Sequence, residues 1–348
     1  MVLIHEYVTG GGLAGADLPA SWAAEGNAMR RALAEDFASL EGVRVVMCLD
    51  DRLPDEPGPW TTLLIGPGQE PEVFATWAAA ADHTVVVAPE TEGRLLERAR
   101  WIDQVGGFSL GSTVQGIEWT GRKDRLGGYW RASGIPTPLT TFVHPESGEA
   151  RPPGEWSLSY PMVLKPIDGA GSVDTFLLVD ADSLPKAAKA LPIALLQPLV
   201  VGTPMSASFL VDSEGRPWLV GVGRQRMEVQ GGRFQYRGGI VPEGPASCPA
   251  EVRRAVEIVP GLRGWVGVDY VLEAATGRAV LLEINPRVTT SYVGLRQLLP
   301  AGELARAWLG LLDPTQAFDP RELADVVHRS PPVWFEADGS IVDEGADS

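Results

Sequence analysis

The sequence has few of the residues on which several common kinds of protein depend. Its 348 residues include 2 cysteines, Cys48 and Cys248, which are too few and too far apart for a disulfide framework or a zinc site. It also lacks a basic N-terminal segment and any apolar run near the ~20 residues of a membrane span. We therefore expect a protein of the reducing cytoplasm with no membrane contact.

Positive charge is scarce as well. The chain has 29 Lys and Arg against 45 Asp and Glu, which gives a formal net charge of -16. Because this charge repels a phosphate polymer and no basic stripe compensates for it, we expect no nucleic-acid partner. The composition, with 45% hydrophobic and 7% aromatic residues, is typical of a folded protein. The length of 348 residues indicates two or three domains or lobes.

The first part of the chain alternates short apolar strands with amphipathic helices. This order predicts an α/β domain with a parallel sheet and Rossmann-like winding. The predicted strands are Val2–Val8, Val43–Leu49, Thr61–Ile65 and Thr84–Ala88, and the predicted helices are Ser21–Leu40, Glu70–Ala81 and Glu90–Val105.

A glycine-rich segment follows the first strand. Gly10-x-Gly12-x-x-Gly15 satisfies the dinucleotide fingerprint, with Asp50 and Asp51 as candidate ribose ligands. The next helix begins too late for the last glycine to pack against its first turn, however, and the acids lie farther along the chain than the fingerprint expects. A flexible loop over the sheet edge is therefore favoured over dinucleotide binding, and a loop that faces the substrate is an intermediate alternative.

Two polar side chains interrupt an apolar strand near residue 284. Glu283 and Asn285 lie two positions apart, so both leave the strand on the same face. The preceding strand, Gly264–Glu273, brings Asp269 towards them through a tight turn. Two carboxylates and an amide oxygen suit Mg²⁺ when phosphates fill its other positions. Arg287 follows directly, either as a structural ion-pair partner or as a phosphate ligand.

Lysine occurs at four positions in the chain, and two of these positions are structured. Lys165 ends a predicted strand that runs into the Gly-rich turn Gly169-Ala170-Gly171-Ser172, and Lys123 opens a predicted helix. Glycines let backbone N–H groups approach an anion that an ammonium group neutralises, so we predict a phosphate cradle. Lys186 and Lys189 are expected to be solvated.

Three further segments are candidates for ligand contacts. In Gln197-Pro198-Leu199-Val200, the Pro198 carbonyl and the Val200 N–H can read a purine edge, although an ordinary strand exit explains the segment equally well. Arg224 and Arg226 share one face of a predicted hairpin strand. They either bind an anion or are ordinary surface charges. The segment Gln235–Gly239 is predicted to be a loop that closes over phosphates.

Taken in chain order, these motifs resemble the ATP-grasp superfamily over residues 116–310. The resemblance implies an α/β protein with α+β catalytic lobes, in which a Rossmann-like pre-ATP-grasp domain precedes a two-lobed ATP-grasp fold. The domains expected are 1–115 for the pre-ATP-grasp domain, 116–195 for the small lobe with its phosphate loop, 196–330 for the catalytic lobe with the Mg²⁺ site, and 331–348 for an acidic tail, predicted to be disordered from Phe335 because it offers little to bury.

The same resemblance implies roles for individual residues, with ATP and two Mg²⁺ ions as ligands and Mn²⁺ as a possible substitute. The residues with implied roles are Lys123 and Lys165 at the phosphates, Gly169, Gly171 and Ser172 in the loop over them, Gln197, Pro198 and Val200 around adenine, Asp269, Glu283 and Asn285 as metal ligands, and Arg287, Lys165 and Arg224 as catalytic residues.

Within the superfamily, three short segments look like the tyramine–glutamate ligase group: Glu6-Tyr7-x-x-Gly10-Gly11, Ala88-Pro89-Glu90, and Asn285 to Leu295. This implies a ligase that joins a carboxylate to an amine through an acyl phosphate, with glutamate and a tyramine- or tyrosine-like amine as small-molecule partners, in the biosynthesis of a methylofuran-type one-carbon cofactor. It also implies a possible homodimer. The alternatives are another ATP-grasp amino-acid or dipeptide ligase, a phosphotransferase, or a nucleotide-binding protein without turnover.

Overall fold

The first sheet of the protein is parallel. The computed structural model describes residues 1–143, 159–169, 172–184, 187, 189, 191, 193–312 and 321–343. Its first strands are β1 Val2–Glu6, β2 Val45–Asp50, β3 Trp60–Ile65 and β4 His83–Val87. They pair in parallel in the spatial order β3-β2-β1-β4, and all residues of the central β1 are buried. The predicted α/β winding of this part is confirmed.

Helices cover both faces of this sheet because successive side chains of each strand point to opposite sides. The first helices are α1 Ala20–Ala38, α2 Glu70–Ala80 and α3 Arg94–Gln104. Ile4 of β1 lies in one apolar core with Leu33 of α1, whereas its neighbour Leu3 lies in another with Phe74 of α2 and Ile102 of α3.

The second sheet is mostly antiparallel and consists of two parts. Its strands are β5 Thr141–Val143, β6 Met162–Pro166, β7 Phe176–Leu178, β8 Ala194–Pro198, β9 Gly202–Val211, β10 Pro217–Gln230, β11 Arg233–Val241, β12 Gly264–Glu273, β13 Ala279–Asn285, β14 Val333–Glu336 and β15 Ile341–Val342. The main strands lie in the order β13-β12-β9-β10-β11-β7-β6-β8-β5. The larger part runs from β13 to β11 and the smaller part from β7 to β5, and the two parts join where Arg233 of β11 pairs with Phe176 of β7. Each part has its own apolar core, as the predicted α+β lobes require.

The remaining helices pack around this sheet. They are α4 Val114–Thr120, α5 Lys123–Ala132, α6 Ala250–Glu257, α7 Ser291–Leu295, α8 Glu303–Leu312 and α9 Arg321–Arg329. Across the part of the chain that the structure describes, no helix combines the length and apolar character needed to cross a membrane. The domain boundaries at residues 115, 195 and 330 stay predictions.

The predicted disorder of the C-terminal tail is wrong for the start of that tail. Strand β14 pairs with β11, and Phe335 is only 2% exposed. Its ring fills the space over two glycines: an added Cβ at Gly294 or Gly239 would lie 2.8 or 2.9 Å from ring atoms. The acidic composition of the tail did not indicate this packing, because a single buried aromatic side chain can stabilise a segment whose average composition is polar. Residues 344–348 lie outside the described part.

The predicted flexible loop after β1 is also wrong. Residues Val8–Gly12 form a short helical turn, most of which is buried. At Gly11, with φ of 100°, an added Cβ would lie 2.3 Å from Ile65, and at Gly12 it would lie 2.2 Å from Tyr7. The glycines therefore let the turn pack against side chains of the protein itself, which leaves no support for the dinucleotide alternative.

Arg52 binds both the glycine-rich segment and the candidate ribose acid. Its Nε donates to Asp50 Oδ1 over 2.8 Å, while Nη2 and Nη1 donate to the carbonyls of Leu13 and Ala16 over 2.8 and 2.7 Å. The Arg52 guanidinium lowers the pKa of Asp50, which is fully buried. Asp50 therefore fixes the loop through Arg52.

Candidate active site

A cavity of about 250 Å³, here named the central cavity, lies between the two parts of the second sheet. Strands β6 and β8 of the smaller part and β9 to β13 of the larger part line it, and Glu25 of α1 reaches it from the first domain. Concave sites of this size that combine apolar walls with a few charged groups are typical ligand sites.

The three predicted metal ligands meet in this cavity. Asp269 on β12 pairs across the hairpin with Glu283 on β13, and Gly267 pairs with Asn285. Asn285 Nδ2 donates to Asp269 Oδ2 over 3.0 Å, and Gln225 Nε2 of β10 donates to Asp269 Oδ1 over 2.9 Å. The two-residue spacing of Glu283 and Asn285 therefore places both side chains where the sequence predicts them.

The two carboxyl groups respond in opposite directions to being buried together. Burial raises the pKa of Asp269, and the neighbouring Glu283 carboxylate raises it further. Burial would also raise the pKa of Glu283, but Lys123 and Lys165 outweigh burial and lower that pKa. One carboxylate is thus held ionised by the lysines, while the pKa of the other stays raised although Arg287 opposes the rise.

Both predicted phosphate lysines line the central cavity. Lys123 Nζ lies 3.1 Å from Glu283 Oε2 and donates to the Gly169 carbonyl over 2.5 Å. Lys165 is 7% exposed, and burial lowers its pKa to about 8, with Glu283 opposing the shift. Two ammonium groups next to two carboxylates give a site that can bind an anion and a cation side by side.

The predicted phosphate loop is described only in part. Gly169 and Ser172 line the central cavity, and Ser172 has a φ of 63° within a turn. Gly171 lies outside the described residues, as does Lys186. Lys189 is exposed, as predicted.

The predicted purine segment lines the central cavity. Gln197, Pro198 and Val200 all contribute to the wall, together with apolar side chains of both parts of the sheet, Val163 and Leu282. Gln197 is 5% exposed, and its Nε2 donates to Thr140 Oγ1 over 2.8 Å. A flat aromatic ring suits such apolar walls.

Arg287 lines the cavity beside the acids, and its partner comes from the first domain. Its Nε donates to Glu90 Oε1 over 3.0 Å and its Nη2 to Glu90 Oε2 over 3.2 Å. Both side chains are nearly buried, at 11% and 5% exposed. Burial lowers the pKa of Arg287, but Glu90 outweighs burial and raises it. Arg287 is therefore compatible with both interpretations of the sequence: it is the ion-pair partner of Glu90, and its side chain also lines the cavity.

Arg224 is not brought to the cavity. Gln225 and Met227 of β10 line it, and since neighbouring side chains on a strand point to opposite faces, Arg224 lies on the other side. Its Nε is 3.9 Å from Glu243 Oε2 instead. The predicted catalytic role of Arg224 therefore has no support. The predicted loop Gln235–Gly239 is likewise part of strand β11.

Sequence reasoning missed several side chains that line the cavity. Glu25 accepts a hydrogen bond from Thr290 Oγ1 over 2.8 Å, and Tyr236 of β11 lies nearby with a pKa that burial raises. Glu25 lies in an ordinary helical pattern, so no local signal identified it. Glu90, the partner of Arg287, could have been predicted, because it is the last residue of the Ala88-Pro89-Glu90 segment that the family resemblance singled out.

The residues of this site are suited to a divalent cation, although they do not form an all-carboxylate cluster. Over the described ranges, no group of three or more His, Cys, Asp or Glu side chains is placed to hold a metal ion. Asp269 and Glu283 offer hard carboxylate oxygens and Asn285 an amide oxygen, a donor set that Mg²⁺ accepts when phosphate and water complete its shell. A cation here would relieve the repulsion between the two buried carboxyl groups.

Comparison with known families identifies the architecture. A model of the ATP-grasp domain matches residues 130–291, and a model of the pre ATP-grasp 3 domain matches residues 43–117. The chain is an ATP-grasp protein. In this ATP-grasp protein the hairpin β12–β13, which carries the three candidate metal ligands, lies inside the matched domain.

Individual relatives of this ATP-grasp protein are distant. The tyramine–L-glutamate ligase of Methanocaldococcus fervens is 26% identical over 218 residues, which cover 62% of this chain and 62% of that one. The chain therefore matches about three fifths of that relative's length.

Solved structures share the fold across nearly the whole chain. An ATP-grasp superfamily protein from Archaeoglobus fulgidus superposes with a TM-score of 0.65 at 20% identity, over 96% of this chain and 91% of that one. The L-amino acid ligase from Bacillus licheniformis gives a TM-score of 0.62 at 16% identity, over 90% and 74%.

Proposed function

We propose that this chain is an ATP-dependent ligase that joins a carboxylate to an amine and releases ADP and phosphate. The observation that carries the proposal is the set of two lysines, two carboxylates and an arginine in one cavity. Lys123 and Glu283 lie 3.1 Å apart there, and Arg287 lines the same wall. Phosphoryl transfer needs mainly such positioned charges and no covalent nucleophile from the protein.

Each group has a separate task in this proposal. Lys123 and Lys165 neutralise the ATP phosphates, and Asp269, Glu283 and Asn285 would hold one or two Mg²⁺ ions. A bound Mg²⁺ supplies charge stabilisation on the transferred phosphoryl oxygens. Gly169 and Ser172 cover the phosphates from the small lobe.

The chemistry then has two steps. An oxygen of the substrate carboxylate attacks the γ-phosphorus of ATP, the bond to the β-phosphate oxygen breaks, and an acyl phosphate and ADP result. The amine nitrogen next attacks the acyl carbon, phosphate leaves with the C–O bonding pair, and the nitrogen loses a proton. Arg287, oriented by Glu90, is the group we propose to stabilise the negative charge of the acyl phosphate and its tetrahedral adduct.

We propose glutamate and a tyramine-like amine as the substrates. The named relative from Methanocaldococcus fervens and the short segments around Glu90 and Arg287 support this choice. Glu25 supports an amino-acid or amine substrate independently, because it is a carboxylate on the cavity wall outside the proposed metal ligands and therefore suits an ammonium group. A role in methylofuran-type cofactor biosynthesis remains part of the same proposal.

A second candidate function is a different amino-acid ligase. The fold shared with the L-amino acid ligase from Bacillus licheniformis favours it, and it needs the same charged groups. A panel of acids and amines distinguishes the two candidate functions, because they differ only in the carboxylate and the amine that are joined.

The test is ADP release by the purified protein with Mg·ATP and L-glutamate, with and without tyramine or tyrosine, followed by the mass of the product. Amine-dependent ADP release and a glutamyl amide are expected. ADP release only with other acid and amine pairs would contradict the substrate choice, and nucleotide binding without ADP release from any pair would contradict the ligase.

The central variant for this function is Glu283→Gln. We expect a loss of ADP formation of about 10²-fold or more, since an amide binds a cation weakly and cannot pair with Lys123. The matched control is Glu273→Gln on the neighbouring strand β12, where the carboxylate accepts from the local Thr276 hydroxyl over 2.6 Å and lies off the cavity. Near-normal turnover of a folded E283Q protein would contradict the metal assignment.

A further inference from the structure

The turn that follows strand β4 contacts both parts of the second sheet. The Glu90 carboxylate accepts from Arg287, which follows β13 of the larger part, over 3.0 and 3.2 Å. Asp168 follows β6 of the smaller part, and its Oδ2 accepts from the backbone N–H of Glu92 over 3.0 Å. One short segment of the first domain is therefore bonded to an arginine of the central cavity and to the residue that precedes the predicted phosphate loop.

Glu92 has an unusual backbone conformation within this turn. Its φ and ψ are 54° and 20°, and those of Gly93 are 70° and 21°, so both residues are left-handed. A residue with a Cβ rarely adopts this conformation. Outliers of this kind persist where surrounding contacts hold them, and they are concentrated at functional sites. The bond from the Glu92 N–H to Asp168 is such a contact, and the Gly93 N–H closes the turn on the Glu90 carbonyl over 3.1 Å.

Asp168 lies between two residues that Lys123 binds. The Ile167 carbonyl accepts from the Lys123 backbone N–H over 3.2 Å, and the Gly169 carbonyl accepts from Lys123 Nζ over 2.5 Å. Gly169 lines the central cavity, whereas the half-buried Asp168 does not. The Asp168 carboxylate therefore binds the first domain and not the ligand space, although it is next to a residue that covers the phosphates in the proposed function.

We propose that Asp168 is a positioning residue of the ligase: by accepting from the Glu92 N–H, it holds the start of the phosphate loop against the turn whose Glu90 orients Arg287. This inference depends on the function proposed above. Lys123, which binds phosphates in that function, and Arg287, which stabilises the acyl phosphate, are thereby kept in one arrangement. The contact uses the main chain of Glu92, so it does not require the Glu92 carboxylate.

Two substitutions at Asp168 distinguish the acceptor oxygen from the charge. Asp168→Ala removes the acceptor, whereas Asp168→Asn keeps an acceptor oxygen and loses the charge. In the ligase assay, with the acid and amine that the wild-type protein joins, we expect D168A to lower kcat by about tenfold, because loss of orientation slows the reaction more than it weakens binding. The KM for ATP should change by less than about threefold. D168N should keep at least about one third of the wild-type kcat.

A double variant tests whether Asp168 acts through the same turn as Glu90. The effects of independent residues on a rate multiply, whereas the effects of residues that act on one arrangement do not. We therefore expect Asp168→Ala combined with Glu90→Gln to be at most about threefold slower than the slower single variant. Asp180→Ala is the matched control: Asp180 also accepts from a backbone N–H, that of Ser183 over 3.0 Å, but it lies off the cavity and its partner is local, so kcat should be unchanged.

Hydrogen exchange at the Glu92 amide measures the contact itself and needs no turnover. Because the bond to Asp168 protects this amide, we expect it to exchange about tenfold faster in D168A than in the wild-type protein. In D168N and D180A, the exchange rate should stay within about threefold of the wild-type rate.

The outcomes separate the inference from the proposed function. Unchanged exchange in a folded D168A protein overturns the contact and the inference with it. A wild-type kcat for D168A, a D168N protein as slow as D168A, or multiplied effects in the double variant overturns the positioning role and leaves the proposed ligase intact. A wild-type protein that binds Mg·ATP but joins no acid to any amine overturns the proposed function and the positioning role together.

Discussion

Glu70 is a buried carboxylate that binds Arg98 and His5 of the first domain. Arg98 Nη2 donates to Glu70 Oε2 over 2.6 Å, and His5 Nε2 lies 2.9 Å from Glu70 Oε1. Burial would raise the pKa of Glu70, but His5 and Arg98 outweigh burial and lower it to about 2. Because the ordinary value is 4.5, this contribution to stability is complete above pH 4.5 and is lost as the pH falls through 2.

We expect Glu70→Gln to lower the free energy of unfolding by about 3–5 kcal/mol at neutral pH, since it removes the buried one of the two carboxylates that bind the Arg98 guanidinium. Urea unfolding at several pH values measures this, and the deficit should shrink as the pH falls below 4.5. Glu97→Gln is the matched control: Glu97 binds the same Arg98 over 2.7 Å but is 50% exposed, so its loss should cost about 1 kcal/mol or less. Equal costs for the two variants would contradict the role given to burial.

At the scale of single residues, local periodicity predicted the placement of the acids but not that of Arg224. Glu283 and Asn285 meet Asp269 because one hairpin places all three, and the hairpin could be read from a short stretch of sequence. Alternation places Arg224 on the face of β10 opposite to Gln225, but the sequence does not say which of the two faces lines the cavity; only the packing of the two parts of the sheet decides that.

At the scale of secondary-structure elements, strand β14 shows how much one buried side chain can contribute to the packing of a strand. Phe335 is buried against glycines of β11 and α7. We expect Phe335→Ala to reduce the free energy of unfolding by about 3–5 kcal/mol, because it removes a large buried ring from glycine-lined space that cannot close. Ile341→Ala in β15 is the control, since Ile341 is 46% exposed.

Urea unfolding of both variants checks this prediction. A tail that is free in solution would give no change for either variant, so equal midpoints for F335A and the wild-type protein would sink it. The sequence misled here because acidic composition describes the average of a segment, whereas anchoring depends on its single best-packed residue.

For the whole molecule, the order of strands and helices predicted the fold class well. Alternating elements up to residue 105 specify a parallel sheet by chain geometry alone, and the later hairpins specify an antiparallel one. Contacts between the domains could not be predicted in this way. Glu90 and Arg287 are 197 positions apart, and only the packing of the two domains brings them together.

This contact gives a prediction at the same scale. Glu90→Gln should lower kcat by about 10- to 100-fold with a smaller change in the KM for ATP, because Arg287 keeps its place near the cavity but loses the group that orients it. The proposed ligase assay measures both constants. Glu92→Gln is the control: its carboxylate pairs with Arg94 at the surface and should leave kcat unchanged. A rise in the KM for ATP alone would contradict an orienting role.

The Glu90–Arg287 pair also has a consequence for how such proteins can be recombined. A chimera that took its first domain from one relative and its catalytic lobe from another would inherit the acid and the arginine from different parents. If either parent lacked its member, the junction would bury an unpaired charge next to the reacting groups. A functional exchange of one domain therefore has to keep residues 90 and 287 as a matched pair.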